Sequence, residues 1–280
     1  MAISTTTTLN DLYANIVQAA AFTLSEKTVI RPLVRNYNMV GSPGLVAQIP
    51  KYGTIAAAAV AEGTDLSTPT SFSTDVTTVT ASEIGVNVSL TDIAREGAAE
   101  DVAAAIGRQI GDGMANKVDQ SLAALFEGFS NTVGSGAAEI TVDDIFKAAA
   151  TLRANNAPGP YVCILHPFQA FQLKKTLAGN GNTPMNNHDL ANEALRSGYV
   201  GQVAGMQIFE TNNVTGPSAG GFVGAAMSAD AIAYMVKRDM RIEEQRDASL
   251  RATEFVGSMA YGASELFDAY GVGIIADAQL

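Results

Sequence analysis

Residues 92–129, DIAREGAAEDVAAAIGRQIGDGMANKVDQSLAALFEGF, decide how the chain is read. The run has no proline; Ser89-Leu90-Thr91 precedes it, and Gly128 and Gly134-Ser135-Gly136 mark its end. Thr91 or Asp92 can cap a helix here, and Glu96, Glu100 and Asp101 follow where acids favour a helix start. Larger apolar residues recur at Val102, Ile106, Ile110, Met114, Val118 and Leu122, always four apart. Strict alternation is absent, so the spacing predicts a helix.

A step of four overshoots the helical repeat by about 40°, so the stripe drifts roughly half-way round the helix. Such a helix must meet different neighbours along its length. A second stripe is small: Ala103, Gly107, Gly111 and Ala115. Glycine costs a helix stability and is tolerated where another backbone comes close. The expectation is a structural spine, packed through Ile106, Ile110, Val118 and Leu122, with Gly107 and Gly111 on the face of close approach.

A chain of 280 residues predicts one large or two modest domains. Charged residues are 16% of it, against about 25% in ordinary globular proteins. That favours a surface largely occupied by copies of the same chain, although small polar residues can also cover it. The net charge of −11 argues against binding nucleic acid by phosphate neutralisation. A single cysteine, Cys163, excludes an intrachain disulfide and a cysteine-rich zinc site, and fits a reducing compartment. The first positive side chain is Lys27, so no secretory signal is expected, and no apolar run is long enough to span a bilayer.

Outward from the spine, residues 45–91 form an excursion. LVAQIPKYG reads as a strand, and Ile84, Val86, Val88 and Leu90 alternate as a second. No positive residue lies between Lys51 and Arg95, whereas Glu62, Asp65, Asp75, Glu83 and Asp92 are acidic. A long two-stranded excursion is marginal alone and needs a partner surface; a loose Thr/Ser-rich surface loop is the competing reading. Before it, a short amphipathic helix is expected from Leu9, and residues 25–40, interrupted by Pro32, read as extended.

After the spine, Thr141 opens a helix with Asp144 in the capping-box position, stopped by Ala157-Pro158-Gly159-Pro160. Tyr161–Leu165 reads as a buried strand, FQAFQLKKTL as a helix, 188–197 as a helix, and 205–211 and 221–227 as short strands. From Ala231 the pattern turns to long strands, where Lys237, Arg238, Arg241, Arg246 and Arg251 cluster. The class is α+β.

No catalytic constellation stands out. His166 reads as a strand-end histidine on the opposite face from Cys163, and His188 as a capping residue. There is no phosphate loop, metalloprotease or nucleophile-elbow motif, so no enzyme activity, cofactor or metal is expected. Asp119, on the spine, is expected to be held by an ion pair or hydrogen bond, with Lys117, Gln120 and Ser121 nearby.

The order of these parts resembles the major capsid proteins of tailed double-stranded-DNA bacteriophages, with their HK97-like fold. The phrases KYGTIAAAAVAEGTD, KVDQSLAALFEG, ILHPFQAFQLKKTL and GQVAGMQIFETNN are similar too. The resemblance implies an N-terminal arm at 1–44 and an extended β-hairpin, the E-loop, at 45–91. It implies a peripheral (P) domain at 92–140 and 239–265, and an axial (A) domain at 141–238 and 266–280. It also implies a structural subunit, located in the virion shell, that self-assembles as hexamers and pentamers into an icosahedral capsid around the DNA genome. Assembly would take place in the host cytoplasm, with a portal protein at one vertex and only non-specific DNA contact. Separate scaffolding, decoration or cement proteins stay open, no fused scaffolding domain is expected, and no membrane is involved.

Two alternatives remain: an encapsulin-like compartment of the same fold, and a cytosolic α+β enzyme. In the family's geometry the Gly107/Gly111 face would approach the P-domain strands. The charges set a further expectation. Glu62, Asp65, Asp75 and Glu83 lack a partner in the excursion, and Arg241, Arg246 and Arg251 would supply one from a neighbouring copy.

Overall fold

The computed structural model describes residues 17–18, 20, 22–24, 27–53, 55, 57, 59–60, 62–63, 72–97, 102–179, 202–214, 216 and 221–277. Two sheets share the spine. The first has four strands in the order β1-β10-β11-β4, namely Arg35–Asn38, Ile232–Asp247, Ala252–Glu265 and Ser82–Thr91. The second has six, in the order β5-β12-β9-β6-β8-β7: Thr132–Ser135, Gly271–Asp277, Gly221–Ser228, Tyr161–Leu165, Met206–Glu210 and Gln202–Val203. A separate hairpin pairs β2 (Val46–Tyr52) with β3 (Thr74–Thr80).

The spine is helical over α1 (Asp92–Gly97) and α2 (Val102–Ala123) and tightens to a 3₁₀ turn at Ala124–Gly128. Its apolar drift has a visible cause. In mid-helix, Ile110 and Met114 press on Gly257 of β11, where an added Cβ would lie 2.6 Å from the Ile110 Cγ2. Towards its C-terminal end, Phe126 and Phe129 abut Gly273 and Gly271 of β12 in the second sheet. One helix therefore seats both sheets, and Ile106, Ile110, Val118 and Leu122 are all buried in the same core. The alternation at Ile84, Val86, Val88 and Leu90 turns one face of β4 towards that core.

The second sheet carries α3 (Val142–Ala154) and α4 (Pro167–Gly179). Thr141 and Asp144 form the reciprocal capping box. Ile145, Ala148, Ala149 and Leu152, spaced three and four apart, bury against Leu165, Ala226 and Ile274. On the far side of the four-stranded sheet, Ile49 and Val79 of the hairpin pack on Ala233, Met235 and Leu266.

Several expectations need correction. The stretch 25–40 is not extended throughout: Lys27 is helical, Arg31–Leu33 is a 3₁₀ turn, and only Arg35–Asn38 is a strand. Pro32 is tolerated because the first turn of a helix has no use for its missing N–H. The expected boundary between residues 238 and 239 falls inside β10, which runs unbroken through two register shifts at 236–241. The change of sheet comes instead at the 3₁₀ turn Ala229–Ala231. Residues 82–91 extend the four-stranded sheet rather than the hairpin. Gly134 and Ser135, read as loop, belong to β5 alongside β12. Most of the helix expected from Leu9 and the helix expected at 188–197 lie outside the described residues.

Candidate assembly interface

Neither glycine of the small spine stripe lies open. Gly107 is buried. At Gly111 an added Cβ would lie 2.5 Å from the Ala20 carbonyl oxygen and 3.0 Å from the Thr23 Cβ. The backbone that comes close at Gly111 is thus the N-terminal helical segment, not a sheet strand. Two turns on, Asp119 anchors the continuation of that segment. Its fully buried carboxylate accepts the Val29 N–H at 2.7 Å and the Ile30 N–H at 3.2 Å. Burial raises the Asp119 pKa, while the bonds from backbone N–H groups and the Asn213 side chain oppose that rise. Sequence distance hid this link, since no local pattern pairs position 119 with position 29.

The charged residues are dispersed. Arg238 of β10 pairs with Glu83 of β4 inside the chain. Both lie opposite Ala260 of β11, whose small side chain lets them meet across the intervening strand. Arg246 grips Asp92 with both guanidinium nitrogens, at 2.7 and 2.6 Å. Arg241 pairs with Glu243 on its own strand at 3.1 Å. The register from Arg241 to Arg246 is unbroken, so these two arginines stand on opposite faces of the sheet. The expected cluster is therefore not one surface, and Glu83 and Arg246 already have partners. Arg251, at the β10–β11 turn with φ of 50°, has no ion pair among the described residues. Glu62 is exposed, Asp75 accepts the Val76 N–H at 2.8 Å, and Asp65 lies outside the described residues.

The hairpin carries a signal that a search for charges overlooks. Its inner face rests on the sheet through Ile49 and Val79, and Lys51 lies over the Phe267 ring with Nζ 5.5 Å from the centroid. Its outer face presents Val46, Tyr52, Phe72 and Val76, each close to half exposed or more. Tyr52 stacks on Phe72 with ring centroids 5.6 Å apart, and Val76 lies directly opposite Pro50. Gln48, Thr74, Thr78 and Thr80 complete this side, which has no charge on either strand. Contiguous exposed apolar residues are common where proteins meet partners.

No group of His, Cys, Asp and Glu able to hold a metal occurs among the described residues. No helix among them is long and apolar enough to cross a membrane. Cys163 is fully buried, and burial pushes its thiol up to about 12. A mixed groove of about 470 Å³ lies between the 28–32 segment, β1 and β10, lined by Thr28, Arg31, Tyr37 and Asp239 among others.

A long helix seating two sheets, with a projecting hairpin at the base of one, is the architecture of an HK97-like capsid subunit. The profile described as "Phage capsid protein" matches residues 73–273. The chain therefore belongs to the phage capsid protein family and is a structural major capsid protein. Solved structures agree on the fold. The capsid of cyanophage P-SCSP1u is 20% identical with a TM-score of 0.71, covering 90% of this chain and 89% of that one. Mycobacterium phage Che8 is 22% identical at 0.71, over 88% and 90%. The capsid of Ralstonia phage GP4 is 14% identical at 0.70, over 89% and 88%. No curated protein matches the sequence.

Proposed function

We propose that this chain is the repeating subunit of an icosahedral shell, assembling as hexamers and pentamers around a double-stranded DNA genome in the bacterial cytoplasm. The observation that carries this is the family match across residues 73–273, which spans the spine and strands of both sheets. Negative charge over the whole chain suits a container wall, because it limits adhesion to the DNA beside it. A portal at one vertex, separate scaffolding and cement proteins would be its partners, and its role is structural rather than enzymatic. The same match favours this reading over an encapsulin-like compartment or an enzyme.

Within that shell, the β2–β3 hairpin docks on a neighbouring copy. Its uncharged outer face supports apolar contact at the centre, through Val46, Tyr52, Phe72 and Val76. Glu62 then lies at an acidic rim facing cations such as Arg241 and Arg251 of the neighbour, whereas Asp75 stands on the inner face opposite Lys51. Expression of the chain, followed by size exclusion and negative-stain microscopy, tests the function. Hollow particles of uniform size are expected, and a chain that stays monomeric at high concentration with scaffolding protein supplied would overturn it.

A further inference from the structure

The loop 211–214 follows β8 of the six-stranded sheet and reaches the spine, and a histidine holds one end of it. His166 follows β6, which lies between β9 and β8, and it forms the cap of α4. Its carbonyl accepts the Ala170 N–H at 3.0 Å, and its Nδ1 accepts the Phe168 N–H at 3.2 Å. Gln169 closes the box: its Oε1 accepts the His166 N–H at 3.1 Å, while its Nε2 donates to the Phe222 carbonyl at 2.8 Å. With Nδ1 accepting, the ring proton sits on Nε2, which donates to Asn212 Oδ1 at 3.1 Å. His166 is 4% exposed, and its ring stacks on Phe222 at 3.8 Å. The next residue, Asn213, donates to Asn116 Oδ1 on the spine at 3.3 Å and also bonds the Asp119 carboxylate. Val214 is buried in the spine core.

We propose that His166 is an acid-sensitive latch between the six-stranded sheet and the spine, which opens when its imidazole is protonated. An imidazolium carries N–H on both nitrogens, so Nδ1–H would point at the Phe168 N–H it now accepts. The same cation would sit at the N-terminus of α4, where the helix dipole repels it. The ring then has to leave its site, giving up the cap, the Phe222 stack and Asn212 together.

No described carboxylate is placed to compensate. From β8, Glu210 is held by Lys174 of α4 at 2.6 Å. Lys175 of α4 pairs with Glu139 at 3.3 Å. β9 carries no charged residue, β6 offers only the buried Cys163 and Tyr161, whose hydroxyl donates to the Ala157 carbonyl at 2.8 Å, and on the spine Asp119 is taken up by Val29 and Ile30. Burial lowers the His166 pKa, with the Asn212 bond opposing. Its contribution to stability is therefore present above the unfolded pKa of about 6.5 and is lost as pH falls towards the folded value. Asp119, with its pKa raised, responds in the opposite sense, so mild acid loosens the latch without loosening the anchor on the spine.

Hydrogen exchange of the full-length unassembled chain at about pH 7.5 and about pH 5, corrected for intrinsic rates, tests this across the unfolded histidine pKa. Severalfold loss of protection is expected at 168–170 and 211–213, with 27–31 and the spine unchanged. His166→Asn keeps a capping acceptor that does not titrate and should abolish the acid response. Equal acid loss in that variant, or unchanged protection in the wild type, overturns the proposal. If the variant does not fold, NMR titration of wild-type His166 decides: an imidazole pKa at or above the ordinary value rules the latch out. Because the chain is unassembled, the result is independent of whether it forms shells.

Discussion

The carboxylate of Asp119, fully buried on the spine, accepts a 2.7 Å hydrogen bond from the backbone N–H of Val29. Together with Ile30, this ties the N-terminal segment to a helix nearly a hundred residues later in the chain. Asp119→Asn keeps one acceptor but turns an NH₂ group towards a second backbone donor, and should cost about 1–3 kcal/mol. The pH dependence has a definite sign. Since burial raises the folded pKa, the stabilisation linked to protonation is present below the unfolded pKa and is lost as pH rises through the folded one. The deficit of the variant in urea denaturation should therefore shrink between acid and neutral pH; a constant or growing deficit contradicts the assignment.

Gly111→Ala places a methyl group against the Ala20 carbonyl oxygen, a backbone atom that cannot rotate away. Helix propensity alone would make alanine the better residue by about 1 kcal/mol. Overpacking costs about 1–3 kcal/mol and should win. A raised Tm for this variant would show that the N-terminal segment yields easily and that the close approach carries no weight.

The Arg246–Asp92 pair is bidentate but wholly on the surface. Screening by solvent and the ordering of two side chains offset its attraction. Arg246→Ala should leave the thermal midpoint unchanged within error, at low and at high salt. A clear salt-dependent drop would mean that the pair holds α1 to the end of β10.

On the hairpin, Tyr52→Ser with Phe72→Ser removes the stacked pair from the outer face without touching Ile49 or Val79 beneath. Monomer stability should be preserved and particle yield lost. The apolar contact further predicts that Arg241→Glu with Arg251→Glu weakens assembly less than the aromatic pair does, and that added salt does not dissolve particles. Electron microscopy of the two double variants side by side, with wild type as the positive control, separates apolar from charge-driven docking.

Cys163 reports on the second core. A fully buried thiol held at about 12 has almost no thiolate near neutrality. Ellman's reagent should detect none in the folded chain and one equivalent in denaturant. Rapid labelling under native conditions would mean that β6 opens readily.

Much of this architecture was legible in short-range pattern. The four-residue apolar step announced the spine, the alternation from Ile84 to Leu90 a strand with one buried face, and Thr141 with Asp144 a helix start. Each depends on neighbours within one or two turns, where backbone geometry alone decides which side chains share a face. The small stripe marked a close approach but not to what. Placing Arg241 and Arg246 in one basic cluster failed because a strand turns residues five apart to opposite faces. Glu83 and Arg238 were invisible as a pair, since their meeting depends on strand order and on the small Ala260 between them.

The chain by itself thus determined the spine helix, the strand from Ile84 to Leu90, the cap at Thr141 and the order of parts that it shares with phage capsid proteins. Only the tertiary structure decided which elements touch. It put Ala20, Thr23, Val29 and Ile30 on the spine, changed sheets at Ala229–Ala231 and turned an uncharged apolar face of the hairpin outwards. It also brought His166, Asn212 and the spine into one connected line. The reason is physical: local pattern records which residues want burial, whereas partner, face and register are chosen by packing between segments far apart in sequence.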